Sequence, residues 1–113
     1  MSWLTKLALG DRRRTERNIR RLEHLRDVVH DLGYFVMASN SGGYHFLSEI
    51  IDDQLIRGRP KVEAKLREAL VGENNQKIAL DAPHRFQAIM REAEGLLELE
   101  IVNEKRNLLS IEE

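Results

Sequence analysis

The sequence predicts a small, mainly α-helical domain: a bundle of four to five amphipathic helices arranged as helical hairpins. Three observations predict it. Only 2 Pro and 7 Gly interrupt 113 residues, which leaves long stretches without a helix breaker. Apolar residues recur at spacings of three and four, the period that gathers one face of a helix. A hydrophobic fraction of 42% can fill a core, and the length suits one domain.

Residues 1–10 form a short apolar segment, with Trp3, Leu4 and Leu7 on one helical face. It lacks the long apolar stretch of a secretory signal, and no run of about 18 apolar residues follows that would span a bilayer. The expectation is a docking segment ahead of a single helical domain over 11–113, in the cytoplasm or in a particle assembled inside the cell, with no stable membrane insertion. Asp11 can cap a helix that runs to Leu32. Its seam, Leu22, Leu25, Val29 and Leu32, has heptad-like spacing. Traced backwards the seam lands on Asn18 and Thr15, so only its second half is apolar. Gly33 suits the end of that helix.

Tyr34–Ala38 reads as a buried strand or a packed connector, and Ser39–Gly43 as a loop. A second helix fits Tyr44 to about Ile56, with Phe46, Leu47, Ile50, Ile51 and Leu55 inward. Gly58 breaks it. Pro60 opens a third helix, where its missing N–H costs nothing, and Val62, Leu66, Ala69 and Leu70 form the apolar face. Gly72, Asn74 and Asn75 make a turn, and Asp81 caps the last element. That element has two readings. Phe86, Ile89, Met90, Ala93, Leu96, Leu97 and Ile101 fit a helix. Leu97–Ile101 also alternates at the strand period, which with a turn at 103–106 would give a C-terminal β-hairpin and an α+β domain.

The near-neutral total of 18 basic and 19 acidic residues hides an uneven layout. Residues 1–33 carry 8 basic and 5 acidic side chains, whereas residues 83–113 carry 4 and 7. A uniformly basic coat is excluded, and the two ends attract each other. The absence of Cys removes disulfides, zinc–thiolate sites and a thiol nucleophile. His45 and Glu49 share a helix face, but no third ligand is evident, so no metal is expected. Ser41-Gly42-Gly43 lacks the Lys-Ser/Thr of a phosphate loop. No Ser or Lys stands beside an oriented base. The chain is therefore expected to be non-enzymatic and to carry no cofactor.

Arg12, Arg13, Arg17, Arg20 and Arg21 spread along a helix, and guanidinium forks suit carboxylates and phosphates alike. Arg57-Gly58-Arg59-Pro60-Lys61 resembles the core of an AT-hook. That resemblance would put Arg57 and Arg59 in a narrow minor groove and Lys61 on a phosphate. Only five residues carry it, and a plain joint between two helices, where Gly ends one and Pro opens the next, is the favoured reading. The two helices around that joint have a helix-turn-helix outline, but the second exposes balanced charge and no base-reading amides.

The expectation is an interaction protein, an adaptor, assembly component or small regulator that forms a homo-oligomer. It would dock a larger protein partner through Trp3, Leu4, Leu7, Arg13, Arg17 and Arg20. In general style it resembles small accessory proteins of bacterial or phage assemblies. The rival is a DNA-binding regulator using Arg12–Arg21 and Arg57–Lys61 on nucleic acid.

Overall fold

Two long breaker-poor stretches become two long helices, and the described residues between them form three short ones. The computed structural model describes residues 3–35, 41–71 and 83–112. Its helices are α1 (Trp3–Phe35), α2 (Ser41–Ile51), α3 (Gln54–Arg57), α4 (Pro60–Val71) and α5 (Pro83–Glu112), with no strand among the described residues. The mainly α prediction therefore holds.

Helices α1 and α5 lie antiparallel. Arg26 reaches Glu98 at 2.7 Å, His30 reaches Glu94 at 3.1 Å, and Gly33 faces Met90. Each step forward on α1 is a step back on α5. At 1.5 Å per residue α1 is about 50 Å long, which accounts for most of the molecule's 58 Å long axis. The radius of gyration is 16.6 Å, against about 13 Å for a compact domain of this length.

The core is one apolar cluster. Leu22, Leu25, Val29 and Leu32 of α1 meet Phe86, Met90, Ala93, Leu97 and Ile101 of α5, with Leu47, Ile51, Ile56, Val62, Leu66 and Ala69 closing the third side. No described polar or charged residue is buried with it. The polar joints sit at its edge. Lys65 of α4 binds Glu92 at 2.7 Å and Glu68 at 3.1 Å, and these contacts hold its ammonium above the ordinary lysine range.

Several boundaries differ from expectation. Helix α1 starts at Trp3, not at Asp11. It runs unbroken through Gly10, and the Thr15 hydroxyl donates to the Asp11 carbonyl at 2.9 Å, an interior bond one turn back. Gly33 does not end it, since the helix continues to Phe35. Gly33 is buried, and an added Cβ would stand 3.4 Å from the Met90 Cβ. Its small size thus lets α5 approach. Tyr34 and Phe35 are helical rather than strand, and residues 36–38 lie outside the described set. Ser41–Gly43 form the first turn of α2, not a loop.

The helix expected over Tyr44–Ile56 is broken at Asp52–Asp53. Asp53 adopts extended backbone, and its carboxylate accepts from the Leu55 N–H at 3.0 Å, capping α3. Leu47, Ile50 and Ile51 point inward as expected, whereas Phe46 is 57% exposed. Gly58 ends α3, donating to the Gln54 carbonyl at 3.0 Å, and Pro60 opens α4. The expected turn at Gly72–Asn75 and the cap at Asp81 lie outside the described residues.

Of the two readings of the last segment, the helix is found. A strand would put Leu97, Leu99 and Ile101 on one face, but they are 0%, 61% and 2% exposed. Leu97 and Ile101 therefore share a helical face, and Leu99 points the other way.

Candidate docking surface

The short helices cover only part of the long pair. Helix α4 is tied to α5 from Lys65–Glu92 to Arg59–Glu104, and Asp53 meets α1 at Arg21. Beyond these points α1 and α5 continue as a two-helix arm, Gly10–Arg20 beside Lys105–Ser110. A pair of helices cannot enclose a core without a third element. The result is a groove of about 500 Å³ lined by Glu16, Ile19, Arg20, Lys105, Leu108 and Leu109. Ile19 is buried in its floor, while Leu109 stands exposed on its wall. Arg20 and Lys105 place cations at its rim.

The polar stretch of the α1 seam falls in this arm. Thr15 and Asn18 occupy seam positions there and are half-buried. The antiparallel register also sets Glu112 level with Arg12. The stretch of α1 from Trp3 to Asp11 therefore runs past the described end of α5.

The basic run divides by partner. Arg12 binds Glu16 at 3.2 Å on its own helix. Arg21 donates twice to Asp53, at 2.7 and 3.1 Å, and so braces the carboxylate that caps α3. Arg13, Arg17 and Arg20 lie exposed at helical spacing, and no ion pair ties them to another helix among the described residues. With Arg14, Lys105 and Arg106 they make the arm cationic: seven basic residues against Asp11 and Glu16 over 10–20 and 105–110. Trp3, Leu4 and Leu7 belong to the same helix, on its overhanging part.

The Arg57–Lys61 segment is a joint between helices. Arg57 closes α3 and binds Asp52 at 2.9 Å. Arg59 is only 13% exposed. It donates to Glu100 and Glu104 of α5, each at 3.1 Å, and to the Leu55 carbonyl at 2.9 Å. Its guanidinium locks α3 and α4 to α5. Lys61 is exposed in the first turn of α4. On α4, Glu63 and Arg67 pair at 3.0 Å.

Sequence reasoning missed Lys105, Leu108 and Leu109, because only the antiparallel register brings them to Ile19 and Arg20. It also missed the outward stripe of α5. Leu99, Val102, Arg106 and Leu109 recur at spacings of three, four and three, a second seam opposite Leu97 and Ile101. Among the described residues no helix is long and apolar enough to cross a membrane. Compared with known proteins, the chain matches no family model, no curated protein and no solved structure.

Proposed function

We propose that this chain is a non-enzymatic interaction protein that oligomerises and docks a larger protein partner, as an adaptor, assembly component or small regulator. One observation carries this reading. The arm exposes an apolar groove at Ile19, Leu108 and Leu109 under a cationic rim, and the helix beyond it carries the apolar segment Trp3–Leu9. An apolar centre with charge at the edge suits an amphipathic helix whose flanks are acidic. Trp3, Leu4, Leu7, Arg13, Arg17 and Arg20 would make the contact.

The test is capture from the native host. Full-length chain is compared with a variant lacking residues 2–9 and with Arg13→Ala/Arg17→Ala/Arg20→Ala, each checked for unchanged helicity. A defined partner held by the full chain and lost from both variants supports the reading. A partner that survives both changes counts against it.

The exposed Arg13–Arg17–Arg20 face supports a second reading, binding to nucleic acid. The Arg57–Lys61 segment adds little to it, because Arg59 is engaged by two carboxylates. Phosphate binding through several arginines is steeply salt-dependent. A mobility shift at low salt that the triple variant abolishes would favour this reading, and no shift at low salt would end it.

A further inference from the structure

We infer that α5 forms a twofold homodimer through its outer stripe, with Val102 on the axis. This inference rests on the reading of the chain as an oligomerising interaction protein and names the surface. Leu99, Val102 and Leu109 are 61%, 41% and 61% exposed, three of the four large apolar side chains exposed among the described residues. Leu99 and Val102 share the face of α5 away from the core, and Leu109 continues their line to where the stripe meets the wall of the groove. Gly95 continues the stripe one step back. It is exposed, and an added Cβ there would meet nothing within 4 Å. From Gly95 to Leu109 the stripe is about 21 Å long, with the three–four spacing of a helix-pairing seam.

A second copy of α5 laid antiparallel across this stripe complements it in charge and in shape. A twofold contact is self-complementary, so each pair occurs twice. With Val102 meeting its own copy, Glu98 stands opposite Arg106, Leu99 opposite Lys105, and Gly95 opposite Leu109. Glu98 is half-exposed beyond its bond to Arg26, and can accept from Arg106 as well. The Lys105 stem covers Leu99 while its ammonium stays in water. The gap above Gly95 receives Leu109, which is 61% exposed in the single chain. A shift of register would set Arg106 against its own copy or leave Leu109 facing a filled position. Charge and shape therefore select a second copy over an unrelated helix.

The chain has no cysteine, so Val102→Cys introduces a single thiol. In the dimer the two thiols meet on the axis. Under mild oxidation Val102→Cys forms a covalent dimer much faster than Gln54→Cys, which is exposed on α3. In sedimentation equilibrium the wild-type chain dimerises with a Kd near the micromolar range, as suits a small interface. Leu99→Lys weakens dimerisation by about 100-fold, because both copies lose a buried leucine. Gly95→Leu supplies the control for folding. It improves the helix of the monomer and raises its thermal midpoint, yet it fills the space Leu109 needs and abolishes the dimer. A wild-type chain that stays monomeric to about 200 µM overturns the inference and leaves the stripe to a different protein. Equal crosslinking of Val102→Cys and Gln54→Cys, or an undiminished Gly95→Leu dimer, overturns it too. These measurements use purified chain alone. Their failure is thus separate from failure of partner capture, which tests the arm.

Discussion

The two ends of this molecule are built from the same two helices and behave oppositely. At one end α1 and α5 are covered by α2–α4, and Leu22, Val29, Phe86, Leu97 and Ile101 are almost fully enclosed. At the other, no third helix among the described residues covers them, and they run with Thr15 and Asn18 in the seam and a groove between them. Charge follows the same division. At the covered end cations reach across elements: Arg21 to Asp53, Arg26 to Glu98, Arg59 to Glu100 and Glu104, Lys65 to Glu92. At the arm Arg13, Arg17 and Arg20 make no such crossing among the described residues. One end uses its side chains to hold the fold, and the other leaves Arg13, Arg17 and Arg20 exposed.

Core truncation should break the comparison most sharply. Phe86→Ala at the covered end removes a fully enclosed ring, and such losses cost about 3–5 kcal/mol. Leu109→Ala at the arm removes a side chain that is mostly in water in the monomer, and at concentrations below the dimerisation Kd it should cost within about 0.5 kcal/mol. Urea denaturation of the two variants measures both. Equal losses would mean that the arm is as enclosed as the covered end.

Arg59 comes next. Its guanidinium neutralises Glu100 and Glu104, which are one turn apart and would otherwise repel. Arg59→Met keeps the stem and removes the charge, at an expected loss of about 2–3 kcal/mol, below the range for fully buried pairs because the carboxylates are partly in water. Adding Glu104→Gln to Arg59→Met should recover part of that loss in a double-mutant cycle. No recovery would mean that Arg59 acts through packing alone.

The fold was readable in the sequence where periodicity and burial coincide. The seams Leu22–Leu32 and Val62–Leu70 and the Pro60 start were there to see, because tertiary packing uses the faces that local spacing creates. What escaped depended on partners distant in the chain. Gly33 looks like a helix end by composition, yet it is the contact point for Met90 57 residues on. Asp53 looks like an ordinary helix-surface acid, yet it caps a new helix while Arg21 holds it. The Leu97–Ile101 alternation fits two periods equally, and only burial against α1 and α4 selects the helical one. For the candidate site, the exposed arginines were evident as a basic run. Which of them are engaged, and that Leu108 and Leu109 join them, required the antiparallel register.

Asp53 offers a smaller and more local test. Asp53→Ala removes the α3 cap and the Arg21 contact together, and cap losses run at about 0.5–2 kcal/mol. Asp53→Asn keeps a capping oxygen and weakens only the pair with Arg21. Since exposed pairs contribute about 0–1 kcal/mol, Asn should retain most of the stability in thermal denaturation. Equal loss in both variants would assign the role to charge rather than to the cap.

The smallest expected effect on stability separates two arginines of one run. Arg21→Ala loses both donors to Asp53, so it should destabilise by up to about 1 kcal/mol. Arg13→Ala/Arg17→Ala/Arg20→Ala removes three like charges stacked at helical spacing, and like charges there are mutually unfavourable. Alanine also has the higher helix propensity. The triple variant should therefore match the wild type or exceed it by about 0.5 kcal/mol at low salt. In 1 M salt the Debye length falls to about 3 Å, and the repulsive part of that gain should vanish. The sign is the decisive quantity. A triple variant clearly less stable than the wild type would show that these arginines serve the fold. They would then belong with Arg21 and Arg59, and the cationic arm would lose its claim to be a surface held open for a partner.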